Sequence, residues 1–192
     1  MPAADVNARI ASRVRQLRAA RGLALEALAA VSGVSRSTIS LIERGETSPT
    51  AVVLERLAGG LGVTLAALFD TPAAGAGPLA RRGQQVEWQD PQSGYRRRNV
   101  TPEGYPAPFQ IVEVEFPPGA RVGFENAGRA PPPHQQVWVL AGTIEVASGQ
   151  ERHLLEAGDC LAMELDRPNA FHNPTAEPAR YAVIIATPPG AR

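Results

Sequence analysis

Residues 35–45 combine short hydroxyl side chains with arginines, and this mixture suits contact with the bases of a nucleic acid. Arg36 lies next to the predicted start of a helix, where its guanidinium can donate two hydrogen bonds to the acceptor edge of a guanine. The serines around it are short, so the helix can come close to its target. The segment therefore predicts a helix that enters the major groove of DNA.

A preceding helix and a glycine turn are needed to present this segment. Apolar spacing predicts a helix over Leu25–Ser32, and Gly33 can adopt the left-handed backbone conformation of the turn. Ser35 is a suitable N-cap for the next helix, and Gly45 is a typical residue to end it.

Helical periodicity extends over residues 5–70, which predicts an all-α domain of five helices. The fourth helix opens at residues 48–50, and a very short fifth begins at Thr64 and ends at residues 69–70. Two glycines at positions 59 and 60 fall inside the fourth helix, where each should cost about 1 kcal/mol relative to alanine.

Residues 5–70 closely resemble the helix-turn-helix of phage repressors and of the XRE-type bacterial regulators. The resemblance is carried by residues 25–29, 33–40, 42–45, 57–58 and 61–65 together with Pro49. It implies two groups of DNA-contacting residues, with Arg36, Ser37 and Ser40 toward base edges and Ser35, Thr38 and Arg44 near phosphates. It also implies a partly buried ion pair between Arg18 and Glu43.

Each of these assignments has an alternative without contact to DNA. A helix-turn-helix pattern can serve as a protein interaction module, and Arg36 can be an ordinary surface arginine. Arg18 and Glu43 can likewise face water.

Residues 71–78 lack periodicity and predict a linker between a first domain, 1–70, and a second, 79–192. Short alternating or β-branched runs follow it between prolines and glycines. About eight to ten strands predict an all-β sandwich or barrel. The clearest runs are residues 85–88, 95–100, 109–116, 137–140, 143–146, 153–155, 160–163 and 180–185.

The second domain resembles the cupin fold, a small antiparallel jelly-roll barrel. Residues 134–146 match the first cupin motif and residues 158–173 match the second. An XRE-type domain followed by a cupin resembles a known class of bacterial transcriptional regulators. The predicted fold class is therefore multi-domain, with the five-helix domain followed by the barrel.

The chain departs from metal-binding cupins at every usual ligand position. Gln135 stands where such cupins have a glutamate, and Asn169 stands where they have the histidine of the second motif. The histidine pair would fall within residues 128–131, which contain no histidine. His134 and His172 have strand positions that turn them away from the barrel interior. We expect no bound metal and no other cofactor.

A barrel without metal ligands can still bind a small organic molecule. The amides of Gln135 and Asn169 can form hydrogen bonds with it, and Phe171 can stack on it. Tyr105, Phe124 and Glu164 are further candidates, although each of these residues can equally be ordinary core or surface.

Three other features have structural interpretations. Trp138 has the opposite strand parity to Gln135 and can pack against a partner subunit. Residues 96–98, three consecutive arginines, predict a solvated strand edge more than an anion site. Cys160 is expected to pack as a small apolar residue.

Composition indicates a cytoplasmic protein. The formal net charge is zero and the isoelectric point is about 6.8, so no overall basic field indicates nucleic acid. The single cysteine fits a reducing compartment. The sequence shows neither a signal peptide nor an apolar run of the ~18 residues that a membrane span needs.

These observations favour a sequence-specific transcriptional regulator, and they favour a repressor over an activator. It would bind a palindromic or pseudo-palindromic DNA operator as a homodimer and respond to a small-molecule effector. Two alternatives stay open: a metal-dependent cupin oxygenase or epoxidase, and an antitoxin or scaffold whose barrel holds no ligand.

Overall fold

The computed structural model of the protein describes residues 3–69, 77–126 and 131–186. Within these ranges the chain forms four α-helices followed by ten β-strands. The helices are α1 (Ala3–Ala20), α2 (Leu25–Ser32), α3 (Arg36–Glu43) and α4 (Ala51–Gly60). The strands are β1 (Glu87–Gln89), β2 (Arg96–Asn99), β3 (Phe109–Phe116), β4 (Arg121–Phe124), β5 (His134–Ala141), β6 (Thr143–Ser148), β7 (Glu151–Glu156), β8 (Cys160–Glu164), β9 (Asn169–His172) and β10 (Ala179–Ala186).

The helix-turn-helix is confirmed in detail. The bounds of α2 are the predicted ones, and Gly33 has a left-handed φ of 66°. The hydroxyl of Ser35 accepts a hydrogen bond from the Thr38 amide at 3.1 Å, so it caps α3 as predicted. No single helix in the described parts of the chain is long and apolar enough to span a membrane. Only α2 and α3 taken together, across their 115° bend, satisfy such a test by length and composition.

The predicted fifth helix is wrong among the described residues. The chain makes only a 3-10 turn over Ala66–Leu68, in which Thr64 caps the Ala67 amide at 3.2 Å. Three residues of i to i+3 hydrogen bonding do not amount to an α-helical turn with its i to i+4 bonds. The first domain is therefore a four-helix unit with a terminal turn.

The glycine at position 60 has a packing reason. A Cβ built on Gly60 would lie 2.9 Å from the Cβ of Ser32, at the end of α2. Alanine would therefore push the two helices apart. The weak helix propensity of glycine is accepted here because it allows α2 and α4 to approach each other.

An ion pair fastens α1 to α3, which confirms the expectation for Arg18 and Glu43. The guanidinium donates from Nε and Nη2 to the two carboxylate oxygens, each at 2.7 Å, and from Nη1 to the Leu23 carbonyl at 2.8 Å. Both side chains are largely buried. The hydrogen bonds to Glu43 raise the pKa of Arg18 above its usual value. This bidentate pair fixes the position of the C-terminal end of α3 relative to α1.

The ten strands form two antiparallel sheets that pack face to face. One sheet has the order β1-β2-β3-β10-β5-β8, and the other has the order β4-β9-β6-β7. Aromatic rings join the two inner faces, since Phe171 on β9 stacks on Tyr181 on β10 with centroids 5.7 Å apart. The prediction of an all-β sandwich or barrel is confirmed. The prediction did not locate β4 and β9.

Most of the predicted linker, including residues 71–76, lies outside the described residues. The two domains are nevertheless in direct contact. The buried carboxylate of Asp90 accepts a hydrogen bond from the Ala51 amide, in the first turn of α4, at 2.8 Å. The rings of Phe69 and Trp88 meet at 5.7 Å across the boundary, and the Thr64 hydroxyl donates to Gln110 at 2.8 Å.

The α1–α3 ion pair leads to a stability prediction. Arg18→Leu should lower the free energy of unfolding by about 3 kcal/mol, because it leaves the Glu43 carboxylate buried without its partner. The double variant Arg18→Leu/Glu43→Leu should recover most of this loss. Urea unfolding followed by circular dichroism measures both, with the exposed Arg15→Ala as control. A single variant as stable as the control would contradict a structural role for the pair.

Candidate functional site

The outer face of α3 carries the residues that the sequence analysis assigned to DNA. Ile39 and Ile42 are buried against the domain, which leaves the opposite side of the helix to solvent. Arg36 and Ser37 are exposed there, and Ser40 lies one turn further along. Thr38 is half-buried beside them. The side chains of this face are short apart from the arginines, so the helix backbone can approach a flat target closely.

Local hydrogen bonds set the geometry of this face. The Ser35 hydroxyl contacts the hydroxyls of Ser37 at 2.9 Å and Thr38 at 2.8 Å in addition to capping the helix. Arg44 donates to the Ser40 hydroxyl at 2.5 Å and to the Glu46 carboxylate at 2.6 and 2.8 Å. The hydrogen bonds from Arg44 lower the pKa of Glu46.

Arg36 has an acidic neighbour on α2. Its Nε lies 2.5 Å from the Oε1 of Glu26, and the two side chains are 65% and 66% exposed. A pair this exposed contributes little to stability. It does bring the Arg36 guanidinium next to α2.

The space between the two sheets contains a cavity of about 90 Å³. Its walls are mostly apolar side chains from β3, β4, β9 and β10. A single buried water needs only ~10–15 Å³ on the same measure, so the cavity has room for a small organic molecule. The lining residues include Val112, Val114, Phe116, Val122, Phe124, Gln135, Asn169, Phe171, Tyr181, Val183 and Ile185.

Gln135 and Asn169, the two amides of the sequence analysis, both line this cavity. Each is only 6% exposed, and each lines the cavity. The Nε2 of Gln135 and the Oδ1 of Asn169 are buried and have no hydrogen-bond partner among the described residues. Buried polar atoms are normally satisfied, so this donor and this acceptor remain available for hydrogen bonding inside the cavity.

Of the other four candidates for the cavity, two line it and two do not. Phe171 and Phe124 line the cavity, with ring centroids 6.2 Å apart. Glu164 lies outside it, because it pairs in register with the exposed His134 and therefore shares the outward parity of that residue. Tyr105 lies in the loop before β3, where it lines a surface groove with Phe109. These last two residues do not meet the amide pair.

The sequence analysis missed an arginine inside the barrel. Residues 96–98 do not form a solvated edge, because β2 is paired on both sides by β1 and β3. Arg97 lines the cavity and its Cζ lies 4.5 Å from the centre of the Phe69 ring. Arg98 is buried against Gln85 and Glu113, and only Arg96 is exposed. The pairing of an interior strand, which overrides the charge of the run, was not visible in the sequence.

The helix-turn-helix domain itself forms the roof of the cavity. Glu55 on α4, together with Thr64 and Leu65 from the following turn, lines the same space as Gln135 and Asn169. No sequence signal pointed to these three residues, since the roof exists only once the two domains dock.

Two tyrosines complete the polar lining. Burial raises the pKa of Tyr95 to about 12, with the charge of Arg97 acting against this rise and Asp90 adding to it. Burial also raises the pKa of Tyr181 well above its usual value. Both phenols therefore keep their protons at neutral pH and can act as hydrogen-bond donors.

The outer face of the larger sheet exposes a tryptophan. Trp138 is 48% exposed, and its neighbours in register are Cys160 on β8 and Ala182 on β10. Cys160 is exposed, which corrects the expectation that it packs as an apolar core residue. Its position opposite Trp138 gives it the outward parity.

Comparison with known proteins agrees with this two-domain arrangement. A helix-turn-helix family profile (HTH_3) matches residues 14–68, and a cupin domain profile (Cupin_2) matches residues 112–185. The HTH-type transcriptional regulator SutR of Escherichia coli K12 is 38% identical over 184 residues, which cover 93% of this chain and 95% of SutR. The chain belongs to the HTH-type transcriptional regulators.

Two further relatives match over most of the chain. The HTH-type transcriptional regulator PuuR of Escherichia coli K12 is 26% identical over 167 residues, covering 85% of this chain and 87% of PuuR. The crystal structure of an HTH_3 family transcriptional regulator from Vibrio cholerae superposes with a TM-score of 0.78 at 26% identity. The superposition covers 97% of this chain and 99% of that one. DNA is therefore the partner of this regulator.

The residues of this regulator do not fit the metal that many cupins hold. Among the residues that the structure describes, no three His, Cys, Asp or Glu side chains converge on one point. Gln135 and Asn169 are neutral amides, which are poor ligands for first-row transition metals. His134 points away from the cavity. Residues 128–130, where the histidine pair of other cupins would fall, lie outside the described residues.

The unsatisfied buried amide of Gln135 leads to a stability prediction. Gln135→Met should raise the free energy of unfolding by about 1 kcal/mol, because it removes an unsatisfied buried amide while keeping the side-chain volume. Asn173→Leu is the matched control. That amide is also buried, but it bonds the carbonyls of Phe116 and Glu177 and accepts from Thr175. The Asn173→Leu variant should therefore lose about 3 kcal/mol of its free energy of unfolding. Equal losses in both variants, measured by thermal unfolding, would mean that Gln135 is structural.

Proposed function

We propose that this regulator inserts α3 into the major groove of its operator and that Arg36 contacts a guanine there. The observation that carries the proposal is the exposed face of α3, on which Arg36, Ser37 and Ser40 lie opposite the buried isoleucines. A fork-shaped guanidinium at the first turn of a helix matches the O6 and N7 acceptors of guanine. Ser37 and Ser40 are assigned to neighbouring base edges.

The remaining polar residues of this segment suit the phosphate backbone. Arg44 follows the C-terminus of α3 and is exposed. It can therefore give up its ion pair with Glu46 and bind a phosphate instead. Thr38 and Ser35 lie at the N-terminal turn, where backbone amides and the helix dipole favour an anion. Because the Ser35 hydroxyl already caps the helix, we assign it to support this turn as well as to contact a phosphate.

We assign residues 1–70 to DNA binding and residues 79–192 to dimerisation and sensing in the cytoplasm. A single helix-turn-helix offers few base contacts, so two copies are expected on half-sites ~34 Å apart. Trp138 supports the homodimer, because large exposed tryptophans are frequent anchors of protein interfaces. A twofold dimer would bind a palindromic or pseudo-palindromic operator.

The sensing role is supported by the cavity and its unsatisfied amides. A small-molecule effector bound there would touch the roof formed by Glu55, Thr64 and Leu65. The effector could therefore change the position of the DNA-binding domain on the barrel. It would do so only as far as it binds one arrangement of the two domains more tightly than another. A repressor would be released when the favoured arrangement no longer matches the half-site spacing. The relatives that are named as transcriptional regulators support a non-enzymatic role.

The role of Arg36 can be tested by selecting the operator from random DNA and then measuring affinity by fluorescence anisotropy. Arg36→Ala should weaken binding by about 1–3 kcal/mol and relax the preference at one base pair in each half-site. Arg56→Ala, which removes an exposed arginine of α4, is the control. Unchanged affinity and base preference in Arg36→Ala would refute the contact.

The dimer can be tested at the exposed face of β5. Trp138→Glu should convert the protein to a monomer in size-exclusion chromatography with light scattering, because burying a carboxylate in an interface is unfavourable. Leu154→Glu changes an exposed leucine on the other sheet and should leave the dimer intact. A Trp138→Glu protein that remains dimeric would locate the interface elsewhere.

A further inference from the structure

The unsatisfied atoms in the cavity define the head group of its ligand. A side-chain amide carries both a donor and an acceptor, so Gln135 and Asn169 together offer both kinds of group. We propose that the cavity binds a small, uncharged molecule with a hydrogen-bond donor and acceptor side by side, as in a primary carboxamide, and that this molecule contacts the DNA-binding domain through the roof. The inference rests on the proposed sensing function and specifies its ligand.

The charges around the cavity argue for an uncharged ligand. Glu55 and Arg97 are the two ionisable side chains of opposite sign in the lining, and neither is without a partner. The tyrosines keep their protons. A ligand with net charge would therefore have to displace an existing partner of Glu55 or Arg97 to gain a counter-charge, and burying a charge without one is strongly unfavourable.

The shape of the cavity argues for an apolar body on that head group. Phe124 and Phe171 meet at 71° beside the amide pair, and Phe171 is itself stacked on Tyr181. These rings leave a narrow space with aliphatic walls from β3 and β10. A short alkyl chain or a small ring fits these aliphatic walls, because burying it there removes apolar surface from water.

Contact with the roof follows from the position of Leu65. It belongs to the DNA-binding domain yet lines the same cavity as the amides, which come from the barrel. A ligand whose head group lies on Gln135 and Asn169 can direct its body toward Leu65. Occupancy would then act on domain docking directly, without a relay through the protein.

Calorimetry on the full-length protein tests the head group. Pentanamide should bind saturably, whereas pentanoate and pentylamine, which have the same carbon chain and a charge, should bind at least tenfold more weakly. Gln135→Leu and Asn169→Leu should each weaken pentanamide binding at least fivefold. Gln136→Leu is the matched control, since Gln136 is the exposed neighbour on the same strand and should leave affinity unchanged.

The roof contact is tested by chain length. Leu65→Ala should weaken pentanamide binding more than propanamide binding, because only the longer chain reaches the roof. An equal effect on both amides would overturn this part of the inference. Tighter binding of pentanoate or pentylamine than of pentanamide, or no binding of any of the three to the wild-type protein, would overturn the ligand class.

Operator binding by the same preparation separates this inference from the function on which it rests. If the selected operator is bound normally and pentanamide is not, the ligand class is wrong and the DNA-binding function stands. If operator binding also fails in folded protein, the proposed function itself is wrong. The comparison of the three probes on wild-type protein needs no variant, so a misfolded mutant cannot obscure it.

Discussion

The hydrogen bond from the Ala51 amide to the Asp90 carboxylate is the contact on which the arrangement of the two domains depends. It places a buried negative charge at the N-terminus of α4, where the helix dipole and the free amides of the first turn stabilise it. The second oxygen of Asp90 accepts from the amide and hydroxyl of Ser93, so the carboxylate is fully satisfied. With α4 held in this way, Glu55 on its next turn is brought over the barrel. The same helix thus belongs to the helix-turn-helix domain and closes the cavity between the two sheets.

Local signals carried most of the correct predictions. The bounds of α2, the left-handed Gly33 and the Ser35 cap depend on residues within one or two turns of one another, and each was visible in the sequence. Strand parity worked for the same reason, because alternation along β5 and β9 turns Gln135 and Asn169 inward whatever the rest of the chain does. The two-domain order followed from the change in periodicity near residue 70.

Contacts between distant residues could not be predicted. Asp90 and Ala51 are 39 positions apart, and no local pattern marks either as a docking residue. The roof depends on that docking, and Arg97 is drawn inside because β2 lies between two strands. Tyr105 and Glu164 failed as cavity residues because their placement depends on a loop path and on a register with β5. The fifth helix failed because its helical signal was too short to sustain more than a 3-10 turn.

The ion pair between Glu26 and Arg36 has a consequence for selectivity under the proposed mode of DNA binding. The Glu26 carboxylate pairs with the same Arg36 guanidinium that a guanine would bind. Its negative charge would also repel the phosphates on either side of the groove. Any DNA sequence would therefore have to break this pair, but only a site that offers guanine at the right step returns equivalent hydrogen bonds to the guanidinium. Glu26 would thus act as an internal competitor that weakens adsorption to random genomic DNA more than it weakens capture of the operator.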